Sequence, residues 1–283
     1  MYFSTKKVLS GLLLSALVAP VFQAQAGIAG YWAPIFHEDF EERIPGPEAG
    51  DYAGLPINDA QRLRGDTWTS SLLTVPEHQC KPHPSTYGFR GVGNLRVAEE
   101  IDPQTQEVIA LHTHIEWQAQ KRTIWMDGRE HPDEMAAHTW GGFSTGEFIG
   151  DTLVVHTTHL KGGWIRRNGM ALSDQATLDE YFFLNQDSTL LTHVSIVSDP
   201  VYLTEPFVRT NGFEWLSVAE MGPYPCRPAI EIDRPMGEIP HWMLGTEESH
   251  AASKEFAERW NIPLEATRGG AETALPEYID VVR

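Results

Sequence analysis

Two histidines and a glutamate alternate along one β-rich stretch of the chain. In H-T-H-I-E, the residues His112, His114 and Glu116 are spaced two apart, which places all three on one face of a strand. Imidazole and carboxylate ligands in this arrangement suit Zn²⁺ and other first-row metals. The stretch therefore allows a metal site, although a polar outer face explains the same alternation, and Glu116 alone could instead join an interior site.

A glutamate and a histidine are expected to face each other across a later hairpin. The predicted strand 176–184 carries Glu180 in an otherwise apolar row, where a carboxylate is costly to bury without a partner. If the hairpin turns at Gln186-Asp187, Glu180 lies opposite His193. Burial would raise the pKa of the glutamate, and its carboxylate would raise the pKa of the histidine, which gives an acid/base pair. The alternative is a structural cross-strand pair.

A tight turn divides the histidines of a third stretch, residues 138–160. Gly150 before Asp151 is typical of a type II′ hairpin turn, so the residues on either side pair as two antiparallel strands. His156 and His159 are three apart, and alternation along a strand sends them to opposite faces. His159 is predicted to point into the fold and His156 out of it. A hydrogen-bonded core histidine is the alternative to a catalytic His159.

Four further residues are predicted to line a ligand site. Ser144 and Thr157 share the predicted inward face of the third stretch, where glycines leave room for a ligand. Phe182 lies two residues beyond the candidate glutamate, on the same face of its strand. Trp140 is expected at the mouth of the site, although tryptophans are also common in ordinary rim packing.

The middle of the chain predicts an all-β fold. Between residues 88 and 216, short β-rich runs alternate with turn signals and no helix is predicted, which favours an antiparallel meander over βαβ units. Eight such strands predict a lipocalin-like up-and-down barrel that can hold one small ligand, with a β-sandwich as the alternative. The predicted strands are 92–99, 107–118, 121–126, 143–149, 152–160, 176–184, 189–197 and 205–216.

Pro-rich segments flank the predicted barrel on both sides. One short helix beginning at Asn58 is predicted before the barrel, and another over residues 247–260 after it. The chain is therefore divided into residues 1–26 as a signal peptide, 27–87 as an N-terminal extension, 88–216 as the barrel and 217–283 as a C-terminal segment that wraps the barrel.

The first 26 residues have the pattern of a secretory signal peptide. Lys6 and Lys7 precede an apolar run too short to span a bilayer, and A-Q-A at 24–26 fits the cleavage rule. We therefore expect a periplasmic or secreted protein. Such an oxidising compartment favours a disulfide between the two cysteines of the chain, Cys80 and Cys226. Two separate buried thiols are the alternative.

The charge of the chain argues against polyanionic partners. The formal net charge is −18, so the protein repels nucleic-acid backbones and anionic membrane surfaces. After the signal peptide, no segment has the run of apolar residues that a membrane span needs. The expected partner is a small apolar or aromatic molecule.

Several motifs resemble those of a large family of secreted bacterial proteins to which no activity is assigned. The resemblance spans roughly residues 55–240 and implies export and a shared β fold, but it supplies no catalytic residue. The motifs are W-M-D-G-R-E-H-P (125–132), H-T-W-G-G-F-S-T-G (138–146), G-D-T-L-V-V (150–155), R-R-N-G (166–169), S-D-Q-A-T-L-D-E (173–180) and D-P-V-Y-L-T-E-P-F (199–207).

Three functions stay open on the sequence alone. The first is an exported barrel that binds a small molecule without a cofactor, with His159, Glu180, His193 and Glu116 available for acid–base chemistry of the isomerase, hydratase or lyase type. The second is a metal-dependent enzyme that uses the H-x-H motif with a divalent metal such as zinc. The third is a non-catalytic protein of the cell envelope.

Overall fold

The computed structural model describes residues 27–43, 46–68, 75–218, 220–229 and 251–282. The predicted signal peptide, residues 1–26, lies outside this range, as do residues 247–250 of the predicted C-terminal helix. None of the described helices is long and apolar enough to cross a membrane.

Nine of the described strands form one closed barrel, which confirms the predicted all-β barrel. Around the barrel, the strands follow the order β1-β11-β10-β9-β6-β5-β4-β3-β2, and β7 and β8 form a separate hairpin. The strands are β1 (Gly30–Pro34), β2 (Leu95–Ile101), β3 (Val108–Ile115), β4 (Gln120–Trp125), β5 (Phe143–Ile149), β6 (Thr152–Thr158), β7 (Gly163–Arg166), β8 (Met170–Leu172), β9 (Thr177–Leu184), β10 (Leu190–Ser198) and β11 (Phe207–Trp215).

The barrel differs from a simple meander in two places. Strand β1 lies in the Pro- and Gly-rich N-terminal segment, where no strand was predicted, and it closes the wall between β2 and β11. Among the described barrel strands, β4 and β5 alone pair in parallel. A parallel pair needs a long crossover, and the connection 126–142 supplies it.

The β5–β6 hairpin has the predicted register. Ile149 pairs with Thr152 and Thr145 pairs with His156. Gly150 has a φ of +62°, which the turn requires and glycine adopts without steric cost. His156 is accordingly exposed on the outer face, as predicted.

The β9–β10 hairpin is offset by two residues from the predicted register. Glu180 pairs with Ser195, and His193 pairs with Phe182. The turn is longer than expected because the Asn185 side chain accepts hydrogen bonds from the main-chain N–H groups of Thr189 and Leu190. An offset of two keeps every side chain on its predicted face.

A polar layer crosses the barrel between two apolar clusters. Along β9, Leu178 belongs to one cluster and Phe182 to the other, with Glu180 between them. Along β10, His193 likewise lies between Leu191 and Val197. The first cluster contains Ile28, Trp32, Phe89, Leu95, Val97, Leu111, Ile115, Ile124, Leu153, Val155, Phe182, Leu191 and Phe213. The second contains Tyr52, Leu55, Ile57, Leu160, Ile165, Met170, Leu172, Ala176, Leu178, Val197 and Leu203.

The helices lie in the flanking segments, with one exception in a barrel connection. The predicted helix after Asn58 is present, and the Asn58 side chain caps it by accepting a hydrogen bond from the Gln61 N–H at 3.0 Å. The α-helices are α1 (Asp59–Asp66), α2 (Ser85–Gly88), α3 (Ala252–Trp260) and α4 (Pro276–Val282). Short 3-10 helices span Phe36–Glu38, Phe40–Glu42, Pro76–Gln79, Trp117–Ala119, Leu264–Thr267 and Ala271–Ala274.

The flanking segments are attached to the barrel by packing and by a covalent bond. Tyr52, Leu55 and Ile57 of the N-terminal segment pack into the second apolar cluster. Cys80 and Cys226 form the predicted disulfide, with their Cα atoms 5.8 Å apart. The chain before β2 is therefore bonded directly to the chain after β11.

Candidate functional site

Glu180 lies at the centre of the polar layer and is fully buried. Its Oε1 atom is 3.0 Å from Nε2 of His193, so the predicted contact between these two side chains is confirmed. The same oxygen accepts a hydrogen bond from Nη1 of Arg122 at 3.0 Å, and Oε2 accepts a second from Nη2. A bidentate arginine therefore compensates the buried carboxylate.

Arg122 is the site residue that the sequence analysis missed. It lies on β4, where Gln120, Arg122 and Ile124 are the buried alternate residues. Its Nε donates to Oγ of Ser144 at 2.9 Å, and Nη2 donates to Oγ1 of Thr157 at 2.6 Å. Ser144 and Thr157 do point inward as predicted, but they bind this guanidinium. The inward position of an arginine in an alternating strand was the available signal.

The pKa of Glu180 moves in the opposite direction to the prediction. Burial raises it, but the charge of Arg122 and the hydrogen bonds from His193 and Arg122 outweigh burial, and the pKa falls to about 2. Glu180 is therefore an anion at neutral pH. It can orient His193 and Arg122, but it carries no proton to donate.

The imidazole of His193 is enclosed by aromatic rings. It stacks on Phe182 at 4.5 Å between centroids and meets the edge of Phe89 at 5.0 Å. Its Nδ1 atom is buried and has no hydrogen-bond partner among the described residues. One nitrogen of His193 is thus fixed by Glu180, and the other is unsatisfied.

The barrel interior beside this network has little free space. A cavity lined in part by Phe89, Thr113, Gln120 and Arg122 measures about 10 Å³. Such a volume is about what one water molecule needs. This cavity is therefore too small for an aromatic molecule, and Phe182 packs against His193.

His159 does not point into the barrel, contrary to the prediction. Strand β6 ends at Thr158, and His159 has a φ of +55°, so strand alternation no longer sets its direction. Its Nδ1 is 2.7 Å from Oγ1 of Thr158, and its Nε2 is 2.8 Å from the main-chain oxygen of Asp133. His159 therefore belongs to the outside of the wall and does not share a cavity with Glu180.

His112 and His114 share the outer face of β3, as the strand prediction requires. Nε2 of His112 is 2.7 Å from Oε2 of Glu100. His114 pairs with Arg96 on one side and Lys121 on the other. Partial burial and these two cations lower the pKa of His114. The positive charges of Arg96 and Lys121 disfavour a metal cation at His114.

Glu116 neither completes a metal site nor joins the interior. It follows the end of β3, and its Oε2 accepts the Asn94 N–H at 2.6 Å while Oε1 accepts the Gly222 N–H. Within the described residues, no group of three or more His, Cys, Asp or Glu side chains is placed to hold a metal ion. The zinc hypothesis stays a prediction that lacks a third ligand in this part of the chain.

A groove opens in the barrel wall where β4 meets β5. The two strands pair at Ile124–Ser144 and Trp125–Thr145 only, at the end of β4. The preceding segment 139–143 is held by other bonds, because the Thr139 main chain bonds to residues 159 and 161 and the Trp140 oxygen accepts the Ser85 N–H at 3.1 Å. Gly141 lies close to the first half of β4, but no strand pairing joins the two there.

This groove has a volume of about 370 Å³, within the range of small-molecule sites. Its walls combine aromatic rings with the outward side chains of β4, and the stem of Arg122 reaches its floor. Trp140 thus lies at a groove in the barrel wall, and its predicted role at the mouth of an interior site stays a prediction. The lining residues are Pro82, Ala119, Gln120, Lys121, Arg122, Thr123, Trp125, Thr139, Trp140, Gly141, Gly142 and Phe143.

These features define a closed nine-stranded barrel with a buried charged network and an outer groove at its parallel seam. No protein-family model, curated protein or solved structure matches the chain. The resemblance to a family of secreted bacterial proteins stays a prediction, and the function has to be argued from the geometry of this site.

Proposed function

We propose that this protein is an exported barrel that binds a small apolar or aromatic molecule in the groove between β4 and segment 139–143. The observation that carries the proposal is the groove itself. Trp125 of β4 lines it together with Trp140 and Phe143, at the place where β4 is only partly paired with β5. Apolar walls with a few polar groups are typical of small-molecule sites. The Cys80–Cys226 disulfide and the predicted signal peptide support export.

The buried network supports this groove. Arg122 projects from β4 and binds Ser144 of β5, Thr157 of β6 and Glu180 of β9. These side-chain bonds connect β4 to the next three strands at the level where main-chain pairing between β4 and β5 is missing. The network therefore fixes β4, which forms one side of the groove, relative to the next three strands of the barrel.

A fragment screen on the mature chain tests the proposal. The indole N–H signals of Trp125 and Trp140 are followed by NMR while small aromatic and aliphatic fragments are added. We expect aromatic fragments to shift both signals. The variant Trp140→Ala should lower their affinity at least about tenfold, because a central tryptophan commonly dominates binding energy.

The matched control is Trp260→Ala. It removes an exposed tryptophan at the end of α3, which is not among the residues that line the groove. This variant should bind as the unmodified protein does. If no fragment shifts the groove signals, the proposed site is wrong and the non-catalytic envelope protein becomes the better hypothesis.

A second candidate function is proton transfer by His193, with Glu180 as the carboxylate that orients it. The unsatisfied Nδ1 atom favours this candidate, since a neutral imidazole can accept a proton there. Because His193 does not line the groove, this chemistry needs a substrate small enough to enter the barrel interior, and His193→Gln should abolish its turnover while groove binding persists. An unchanged rate in that variant would remove His193 from the chemistry.

A further inference from the structure

Basic side chains are concentrated at the groove of a strongly acidic chain. The net charge is −18, and only four lysines follow residue 26. Lys121 lines the groove, Lys161 has its Nζ 5.3 Å from the centre of the Trp140 ring, and Lys81 adjoins a lining proline. Two of the four lysines therefore lie at the groove, and a third is next to a lining residue in the sequence.

The lining residues of the groove include no acidic side chain. The contrast with the large pocket beside β11 is clear, since that pocket is lined by Glu38, Asp39, Glu41 and Glu42 among others. Arg122 is already neutralised by Glu180, so the exposed lysines set the local potential. The groove is thus a positive region on a negative molecule, which attracts anions.

Main-chain donors of β4 also point toward the groove. The Met126 N–H bonds to Ile109 of β3 at 2.9 Å, and alternate residues of an antiparallel strand turn their N–H groups to opposite sides. The N–H groups of Lys121 and Thr123 are therefore directed away from β3. The register with β5 begins only at Ile124, so pairing with β5 leaves these two N–H groups without a strand partner.

We propose that the ligand of this groove is a small aromatic carboxylate. The inference rests on the binding function proposed above and adds the charge of the ligand. The ring lies against Trp140 and Phe143, and the carboxylate meets Lys121 and these main-chain N–H groups of β4. A hydrogen bond between an N–H group and a charged carboxylate is stronger than one between neutral groups.

Matched probes separate charge from shape. Phenylacetate and benzoate are titrated against the neutral phenylacetamide and benzamide and the cationic phenethylamine, with the Trp125 and Trp140 indole signals as the readout. We expect each acid to bind about tenfold more tightly than its amide, and this preference to shrink at high salt. Phenethylamine should bind more weakly than either amide.

Two variants test the lysines directly. Lys121→Gln combined with Lys161→Gln should reduce the preference for acid over amide to about twofold or less. The control Lys254→Gln alters the one lysine on α3 and should change nothing. If amides or the amine bind as tightly as the acids, or the double variant keeps the preference, the carboxylate proposal is overturned.

The outcome also distinguishes this inference from the proposed function. Amides that bind in the groove as well as acids do would leave the binding function intact and reject the charge of the ligand. If none of the acids, amides or amine shifts the groove signals, and the wider fragment screen shifts none either, both proposals fail together.

Discussion

At the scale of single residues, the main feature is a fully compensated charge inside the barrel. Arg122 donates two hydrogen bonds to Glu180, and each of these side chains is at most 3% exposed. Both ions lost their hydration on folding, so each depends on the other for compensation. Removing one partner leaves an isolated buried charge, whereas removing both leaves no buried charge but takes the Glu180 partner of His193 away.

We therefore expect Arg122→Met and Glu180→Gln each to lower the free energy of unfolding by about 3–5 kcal/mol. The double variant Arg122→Met with Glu180→Gln should be more stable than the sum of the single losses implies, because no unpaired charge remains. Urea denaturation of the four proteins measures these values and their coupling.

The surface pair Arg129–Asp127 provides the control. Its side chains are 39% and 30% exposed, so Arg129→Met should destabilise the protein much less than Arg122→Met. Equal losses in Arg129→Met and Arg122→Met would contradict the role of burial. Strict additivity in the double variant would contradict the coupling of Arg122 with Glu180.

The residue-scale predictions from sequence succeeded where strand alternation alone decides the outcome. Glu180, His193, Ser144 and Thr157 all point inward because each lies within a regular strand. The prediction for His159 was wrong because its φ of +55° ends the alternation of the strand. The local sequence does not indicate that this histidine adopts a left-handed backbone conformation.

At the scale of elements, histidines attach the β4–β5 connection to the outside of the barrel. His131 lies between the two strands that follow it, 2.8 Å from Oγ1 of Thr145 and 2.7 Å from Oγ1 of Thr158. His138 is 2.9 Å from the main-chain oxygen of Leu160, and His159 contacts Asp133 as described above. The connection leads directly into the segment that forms one side of the groove.

This attachment should weaken in acid. Partial burial and the neighbouring His156 and His159 lower the pKa of His131 below its usual 6.5. A detached or unfolded connection therefore binds a proton more readily than the docked one does. Docking is strongest above pH 6.5 and declines as the pH falls from 6.5 toward the lowered pKa.

Hydrogen exchange of residues 126–142, corrected for the intrinsic effect of pH, measures this decline. We expect His131→Gln to remove much of the pH dependence, since glutamine does not titrate. His112→Gln, on the outer face of β3, is the control and should retain it. Identical pH profiles for the unmodified protein and His131→Gln would contradict the prediction.

Elements were predictable from sequence where their contacts are local. The Gly150-Asp151 turn sets the β5–β6 register by itself. The β9–β10 turn does not have the register that its sequence predicts. The Asn185 side chain accepts a hydrogen bond from the Thr189 N–H, and Ser188 adopts a φ of +55°, which lengthens the turn. The parallel β4–β5 seam depends on a 126–142 crossover without a sequence signature, so the groove could not be placed in advance.

At the scale of the whole molecule, the disulfide joins two distant parts of the chain. Cys80 and Cys226 are 146 residues apart in sequence, and the loop between them contains strands β2–β11. A cross-link over so long a loop restricts the unfolded chain strongly.

We expect the double variant Cys80→Ser with Cys226→Ser to lose about 2–5 kcal/mol of unfolding free energy. Urea denaturation with and without reductant checks this value, and reductant should destabilise the unmodified protein alone. Equal denaturation midpoints for the variant and the oxidised protein would show that the bond contributes nothing to stability.

Strand β1 lies outside this disulfide-closed loop. Eight of the nine barrel strands belong to a covalent ring, whereas the five residues of β1 enter from the free N-terminal arm and fill the slot between β2 and β11. Because the wall is completed without a covalent link, it can open without breaking the ring. The same slot fits β1 of a second copy, so reciprocal exchange of the arm is a route to a dimer that needs no new interface.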